Sequence, residues 1–308
     1  MFKNKTILIT GGTGSFGQRL VDFILKKHPE IKKIIIFSRD EFKQHLMQEK
    51  LKLNKQFSKL RFFLGDIRDK SRLMLAFNKV DIVIHAAALK QVPAAEYNPV
   101  EFIKTNVIGT QNVVESAIDS SVKKLVSLST DKASSPINLY GATKLCADKL
   151  VISSNNLKGS KKISLSVVRY GNVINSRGSI VPLLLSQRNE KIFTITDTSM
   201  TRFSITLDQG IKTVIWAIKN CNGGEIVVPK IPSYDLKTLI RAIDKNIKVK
   251  IIGIRKGEKI HEEMVNSADS NLTVELKNYF IIAPDISLKK KIIKKFKGKS
   301  VKNNFHYK

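Results

Sequence analysis

Lys5-Thr-Ile-Leu-Ile-Thr10 runs directly into Gly11-Gly-Thr-Gly14-Ser-Phe-Gly17 near the start of the 308-residue chain. The first segment is short, apolar and rich in β-branched residues, which predicts a buried parallel strand, and residues 18–27 have the apolar spacing of a helix. Glycines 11, 14 and 17 would let the backbone approach a pyrophosphate closely at the helix N-terminus. This order indicates a dinucleotide-binding unit rather than a glycine-rich turn without a ligand.

The same alternation of strands and helices continues along the chain. Apolar strand candidates lie at 6–10, 33–37, 60–64, 81–85, 124–129 and 163–169. This pattern predicts an α/β protein with a doubly wound, Rossmann-type parallel sheet. After Arg169 the pattern gives way to loops, and ligands of open α/β sheets bind beyond the carboxyl ends of the strands. We expect an NADP-binding domain over 1–171, to which 202–223 returns, and a smaller substrate-binding lobe formed by 172–201 and 224–308.

The end of the second strand indicates which dinucleotide binds. A site selective for NAD usually places a carboxylate there for the ribose hydroxyls, whereas this chain has Ser38, then Arg39, and Lys43 one turn later. These residues favour the phosphate of NADP, and Asp40 leaves NAD as the second choice. The remaining candidates for cofactor contact are Gly11, Thr13, Gly14, Ser15, Phe16, Gly17, Asp66, Ile67, Ala86, Ala87, Ala88, Lys90, Asn106, Tyr140 and Lys144.

A second segment brings together the groups expected of acid–base chemistry. Ser129-Thr-Asp-Lys132 follows a predicted buried strand, and Tyr140-Gly-Ala-Thr-Lys144 opens a predicted helix. Tyr140 and Lys144 are four residues apart and project from one helical face. A lysine beside a tyrosine stabilises the phenolate, which would make Tyr140 a proton acceptor near neutral pH. Surface helices often carry this pair, and the glycine loop of the same chain is what strengthens the interpretation.

Three other polar or reactive residues receive structural interpretations. His85 is predicted to pack inside a strand, because its strand neighbours are apolar on both sides. Asn106 falls in a helix, where a buried amide would hold water or a backbone carbonyl. Cys146 is predicted on the apolar side of the Tyr140 helix, as a buried free thiol rather than a ligand or half of a bridge.

The net charge of +28 raises the possibility of nucleic-acid binding. Most of it comes from lysines spread along the chain, and no zinc spacing, helix-turn-helix signature or run of aromatics accompanies them. We interpret the charge as a lysine-biased composition that attracts anionic substrates. Residues 288–296 would form an amphipathic helix, interpreted as a solvated surface helix rather than one that touches acidic lipid or another subunit. No apolar run reaches transmembrane length, and the expected location is cytoplasmic.

Several motifs together resemble a known family. Thr10-Gly-Gly-Thr-Gly-Ser-Phe-Gly17, the Tyr140-xxx-Lys144 pair and Arg169-Tyr-Gly-Asn-Val resemble the extended short-chain dehydrogenase/reductases that act on nucleotide sugars. Longer strings at 85–99, 138–145 and 253–264 resemble the configuration-inverting UDP-N-acetylglucosamine 4,6-dehydratases of pseudaminic acid biosynthesis. The resemblance extends from the start of the chain to about Pro284.

The resemblance implies roles for the conspicuous residues. Tightly bound NADP would store a hydride, and Tyr140, helped by Lys144, would take the proton of the sugar 4-hydroxyl. Lys132 would then remove the C5 proton, which requires a neutral amine with a lowered pKa. Asp131 would protonate the departing 6-hydroxyl, and Thr130 would hydrogen-bond the 4-oxygen. The family also implies a homo-oligomer, a dimer or hexamer.

The substrate-binding candidates lie mostly in the loops after the sixth strand. Arginines 177, 202 and 255 are candidates for a diphosphate clamp, although each would serve equally as a surface salt-bridge partner. The full set of candidates is Lys90, Tyr170, Asn172, Val173, Arg177, Thr201, Arg202, Arg255 and Glu258.

Two other functions stay open at this point. A nucleotide-sugar 4- or 5-epimerase would share the cofactor and the Tyr140–Lys144 pair, but it would not need Asp131 and Lys132. A cofactor-bound redox sensor without catalysis is the alternative from a different class of protein. The intact acid–base residues argue against the sensor.

Overall fold

The computed structural model of the chain describes residues 1–120, 122–174, 176, 179–187 and 192–308. Its strands are β1 (Thr6–Thr10), β2 (Lys33–Ser38), β3 (Leu60–Leu64), β4 (Ile82–His85), β5 (Lys124–Thr130), β6 (Ser164–Tyr170), β7 (Asn172–Val173), β8 (Ile192–Ile195), β9 (Thr201–Ile205), β10 (Ile226–Pro229), β11 (Ser233–Asp235), β12 (Lys248–Ile251), β13 (Thr273–Glu275), β14 (Tyr279–Ile282) and β15 (Lys299–Ser300).

The helices connect these strands. They are α1 (Ser15–Lys27), α2 (Glu41–Leu51), α3 (Lys70–Ala76), α4 (Val92–Tyr97), α5 (Pro99–Phe102), α6 (Gly109–Asp119), α7 (Leu139–Leu157), α8 (Ile180–Ser186), α9 (Leu207–Asn220), α10 (Leu236–Ile243), α11 (Ser267–Ser270) and α12 (Ile286–Phe296). A π-helical segment, Ile103–Ile108, joins α5 to α6, and single 3₁₀ turns lie at Phe57–Lys59 and Asp131–Ala133.

The main sheet has ten strands in the order β15-β13-β14-β10-β6-β5-β4-β1-β2-β3. All the pairings from β10 through to β3 are parallel, and β14, β13 and β15 add antiparallel pairs at the other end. The prediction of a doubly wound parallel sheet is therefore confirmed. The strand order reverses between β1 and β4, and this switch point opens the crevice in which such sheets bind ligands.

Side chains of β1 alternate between two hydrophobic cores, one on each face of the sheet. Ile7 and Ile9 pack with α1 residues such as Leu20, whereas Leu8 packs with Val83 and Leu125 on the opposite face. All five residues of β1 are buried. This double burial explains why the central strands read as continuous apolar runs.

The C-terminal part of the chain divides between the sheet and a smaller lobe. Residues 224–308 were expected in that lobe as a whole, but β10, β13, β14 and β15 extend the main sheet. The lobe itself contains the pair β12–β8 and the helices α8 and α10, which share a small core of Leu184, Phe193, Ile195 and Ile240. Helix α9 packs against α1 and the main sheet.

Cys146 is exposed, which corrects the prediction of a buried thiol, and Cys221 is buried. The inner face of α7 carries polar residues, among them Lys144 and Asp148, so apolar spacing alone misidentified that face. Helix α12 buries Ile292 and packs Phe296 against the core, with most of its lysines outside. Among the described helices, none has both the length and the apolar character needed to cross a bilayer.

Candidate active site

The glycine loop after β1 forms a backbone cradle that side chains would fill. Gly11 has a φ of +66°, and a Cβ on it would lie 2.9 Å from the Cα of Ala87. A Cβ on Gly17 would lie 2.5 Å from the carbonyl oxygen of Gly12. Gly14 caps α1 without a side-chain hydrogen bond to the first-turn amides. The loop therefore fits a dinucleotide pyrophosphate, which binds backbone amides at a helix N-terminus.

A cavity of about 310 Å³ lies beside this loop at the end of β2, where the sequence predicts that the adenosine end of a dinucleotide binds. In it the hydroxyls of Thr13 and Ser38 are 2.8 Å apart, and the guanidinium of Arg39 lies 3.8 Å from the Asp66 carboxylate. Asp40 caps α2 by accepting from the backbone N–H of Lys43 at 2.9 Å, and its carboxylate also pairs with the Lys43 ammonium. The cofactor candidates that line this cavity are Gly11, Thr13, Gly14, Ser38, Arg39, Lys43, Asp66, Ile67, Ala86, Ala87 and Ala88.

A larger cavity of about 810 Å³ lies over the carboxyl ends of the strands and adjoins the first at Gly11 and Gly14. It brings together most residues singled out from the sequence, including residues from both the glycine loop and the smaller lobe. Its predicted members are Gly11, Gly14, Ser15, Phe16, Gly17, Ala86, Ala88, Lys90, Thr130, Lys132, Tyr140, Lys144, Tyr170, Asn172, Val173, Arg202, Arg255 and Glu258.

Three of the predicted residues that the structure describes line neither cavity. The amide of Asn106 bonds both the N–H and the carbonyl of Leu89, at 2.8 and 2.9 Å, so it anchors the backbone beside the cavity. Thr201 hydrogen-bonds His261 at 2.8 Å, and Asp131 is fully buried. Arg177 lies outside the described residues.

Tyr140 is buried, and burial raises the pKa of its phenol to about 12. The charge of Lys132 and a hydrogen bond with Thr130 act in the opposite direction. Lys144, the residue expected to give that support, donates from its ammonium to the carbonyl of Leu128 at 2.7 Å. Burial lowers the pKa of Lys144 itself. The expectation that Lys144 brings the pKa of Tyr140 near neutral pH is therefore wrong in this structure. The loss of solvent around the phenol outweighs the attraction of nearby positive charge for the phenolate.

Lys132 lies between two carboxylates. Its amine is 3.2 Å from Asp131 and 3.1 Å from Glu262. Burial by itself lowers the pKa of Lys132, but the charges of Asp131 and Glu262 outweigh it and raise the pKa above its ordinary value. The expected lowered pKa is therefore wrong for this arrangement, since two nearby negative charges stabilise the ammonium. Thr130 donates to the same oxygen of Asp131 at 2.9 Å.

Glu262 is the member of the site that the sequence reasoning did not single out. It lies in the cavity wall, and its side chain is 3% exposed. It stands 130 residues after Lys132, within the string 253–264 that carried part of the family resemblance. Glu263 directly follows it, and nothing in the local pattern indicates which of the two carboxylates points inward.

The structure confirms the prediction that His85 packs inside a strand. Its ring is 2.7 Å from the hydroxyl of Thr10 and 3.0 Å from that of Thr110. Burial lowers the pKa of His85 to about 3, so the ring is neutral at physiological pH.

Two arginines from the part of the chain after β8 reach the cavity. Arg202 donates to the carbonyl of Ile260 at 2.9 Å, and Arg255 pairs with Glu258 at 3.0 Å. Both therefore have structural partners as well as a place in the cavity wall. This arrangement suits anion binding, since either guanidinium keeps further N–H donors beyond these bonds.

The glycine loop at the switch point and the Tyr140–Lys144 pair beside the same cavity define a Rossmann-type enzyme of the extended short-chain dehydrogenase/reductase class. More specifically, the chain belongs to the polysaccharide biosynthesis protein family, whose model matches residues 7–284.

Three individual proteins show which enzymes and structures the chain is similar to. The chain is 52% identical over 290 residues to the UDP-N-acetylglucosamine 4,6-dehydratase (inverting) of Campylobacter jejuni strain 81-176, covering 94% of this chain and 85% of the relative. It is 42% identical over 292 residues to the UDP-glucose 4-epimerase of Rickettsia conorii, covering 92% and 84%. Among solved structures, Pen from Bacillus thuringiensis superposes with a TM-score of 0.88 at 40% identity, covering 93% of this chain and 88% of Pen.

Proposed function

We propose that the protein is an NADP-dependent UDP-N-acetylglucosamine 4,6-dehydratase that inverts C5, the first step of pseudaminic acid biosynthesis. The observation that carries the proposal is the position of Lys132 between two carboxylates: Lys132, Glu262 and Tyr140 lie in the wall of one cavity, and Asp131 is buried in contact with Lys132. Oxidation and reduction at C4 alone would require only the tyrosine and the cofactor. Removing water across C5 and C6 requires an additional base and acid. The inverting dehydratase among the relatives supports the same activity.

Each side chain then has a defined task. Tyr140 accepts the proton of the 4-hydroxyl, and the C4 ketone that results acidifies the C5 proton. Lys132 removes that proton, and Asp131 protonates the 6-hydroxyl as it leaves as water. Protonation of C5 from the opposite face gives the inverted 4-keto-6-deoxy sugar. A bound nicotinamide would supply hydride storage between C4 and C6.

The choice of NADP over NAD rests on the residues at the end of β2. Arg39 is half exposed beside the adenosine-side cavity, where a guanidinium can bind a phosphate. A site selective for NAD would need a carboxylate here to bind the ribose hydroxyls. Asp40 instead caps the N-terminus of α2 and pairs with the ammonium of Lys43. A homo-oligomeric state and a cytoplasmic location stay predictions, the first of which light scattering on the purified protein would measure.

Incubation of the purified protein with UDP-N-acetylglucosamine tests the proposal. The expected product has lost the mass of one water, carries an inverted C5 by NMR, and contains deuterium at C5 when formed in deuterated water. A product of unchanged mass with altered C4 would instead support a UDP-sugar 4-epimerase. That second candidate is favoured by the similarity to the Rickettsia enzyme.

A further inference from the structure

The carboxylate of Glu262 is placed unlike an ordinary salt-bridge partner. One oxygen lies 3.1 Å from the amine of Lys132. The other oxygen is buried and has no hydrogen-bond partner among the residues that the structure describes, with the ammonium of Lys259 4.0 Å away. A buried polar atom without a hydrogen bond is costly, and the carboxylate of Glu262 belongs to the cavity wall, where a bound ligand can reach the pair.

The dehydration proposed above, on which this inference rests, needs two protonation states at neighbouring residues. Lys132 must be a neutral amine to remove the C5 proton, and Asp131 must carry a proton to give to the leaving hydroxyl. If only these two residues took part, the transfer of a single proton from Lys132 to Asp131 would have to produce both protonation states. Glu262 provides a second site within reach of the same amine.

We propose that Glu262 takes a proton from the Lys132 ammonium, so that a neutral amine at Lys132 can remove the C5 proton. The proton moves from the lysine nitrogen to the carboxylate oxygen 3.1 Å away, leaving an amine and a carboxylic acid with no change in net charge. Over the whole reaction the cluster gains one proton from the 4-hydroxyl and one from C5. It gives one through Asp131 to the departing hydroxyl and one to solvent, and solvent supplies the proton that C5 receives on its opposite face, so the count closes.

Other charged or titratable groups also face this pair. Lys132 is near Tyr140, Arg202 and Tyr234 as well as the two carboxylates. Lys259 adjoins Glu262 from the same segment. Arg202 disfavours a charged Lys132, whereas Asp131 favours it. A carboxylate that can switch between charged and neutral therefore controls how readily the amine loses its proton.

Glu262→Gln tests the role, because it keeps the shape of the side chain and removes its ability to accept a proton. We expect kcat for dehydration to fall by about 100-fold, within the usual range for a lost acid–base group, with little change in KM. The remaining rate should rise with pH, because hydroxide must then deprotonate Lys132. In a single turnover, near-ultraviolet absorbance of reduced nicotinamide should accumulate, since oxidation at C4 does not require Glu262.

Glu263→Gln is the matched control. That carboxylate accepts from Ser135 at 3.1 Å and pairs with His306, away from the cavity. Its kcat and pH profile should match those of the wild type. Glu262→Asp should recover part of the rate, and if Glu262→Gln does not fold, Glu262→Asp carries the pH test.

Wild-type kcat in Glu262→Gln would overturn the inference. A higher kcat than the wild type at neutral pH would do the same, since it would mean that Glu262 only holds Lys132 charged. Both outcomes leave the proposed dehydratase intact. Wild-type protein that removes no water from the sugar would overturn the proposed function and this inference together.

Discussion

The guanidinium of Arg169 lies 3.4 Å from the carboxylate of Asp148, and both side chains are almost fully buried. Asp148 also accepts from Ser129 at 2.7 Å, and Arg169 donates to the carbonyl of Met264 at 3.1 Å. This pair therefore joins β5, β6 and α7 to the segment that carries Glu262.

Removal of Arg169 should be strongly destabilising. Arg169→Met would leave the Asp148 carboxylate buried without its counter-ion, at a cost of about 3–5 kcal/mol in the free energy of unfolding. Arg19→Met removes a half-exposed pair with Asp208 and should cost about 1 kcal/mol or less. Urea denaturation of both variants checks the difference. Equal losses would mean that the buried pair contributes no more than the exposed one.

Lys132→Ala should abolish dehydration while the cofactor remains bound. The variant lacks the amine that removes the C5 proton, but the glycine loop that fits the dinucleotide is unchanged. NMR of the sugar product and cofactor content after denaturation are the two measurements. Lys161→Ala, at an exposed pair with Asp119, is the control and should behave as wild type. Normal turnover by Lys132→Ala would remove the assigned role.

Thr130→Val should move the pH dependence of the first step upward. The hydrogen bond with Thr130 lowers the pKa of Tyr140, so its loss raises that pKa further. Less phenolate is then present at any given pH, and the rising limb of C4 oxidation shifts to higher pH. Thr130→Ser keeps the hydroxyl and should leave the pH dependence of C4 oxidation unchanged. Rapid-mixing measurements of nicotinamide reduction across a pH series compare the two variants.

Arg39→Ala should weaken binding of NADP much more than binding of NAD. A charge-assisted hydrogen bond to phosphate contributes about 1.5–3 kcal/mol, which corresponds to roughly a 10- to 100-fold loss. Arg72→Ala is the control, because that side chain donates to the carbonyl of Leu64. Calorimetric titration of cofactor-free protein with each dinucleotide gives the two affinities. Equal losses for both dinucleotides would contradict selection by Arg39.

His85 should make the protein less stable in acid. Its pKa is about 3 in the folded chain and about 6.5 when unfolded, so between these values the unfolded state binds the extra proton. The free energy of unfolding should therefore fall by about 1.4 kcal/mol per pH unit as the pH drops through this window. In His85→Asn that part of the slope should be absent. Denaturation curves at several pH values measure it, and identical slopes would contradict the assignment.

Local sequence was sufficient for the parts of the site that lie close together in the chain. The glycine loop and its helix follow β1 directly, so residue order alone predicts the cofactor cradle. Tyr140 and Lys144 share a helical face because they are four residues apart. The strands up to Tyr170 were also predictable, since burial on both faces leaves continuous apolar runs.

Tertiary structure decided what depends on distant residues. Glu262 reaches Lys132 only because the segment after β12 folds back over the carboxyl ends of the strands, and its charge raises a pKa that local sequence predicts to be lowered. Cys146 points outward because polar residues occupy the inner face of α7. Neighbours in the chain follow from backbone geometry, whereas the electrostatic environment of a buried group depends on every charge that the fold brings near it.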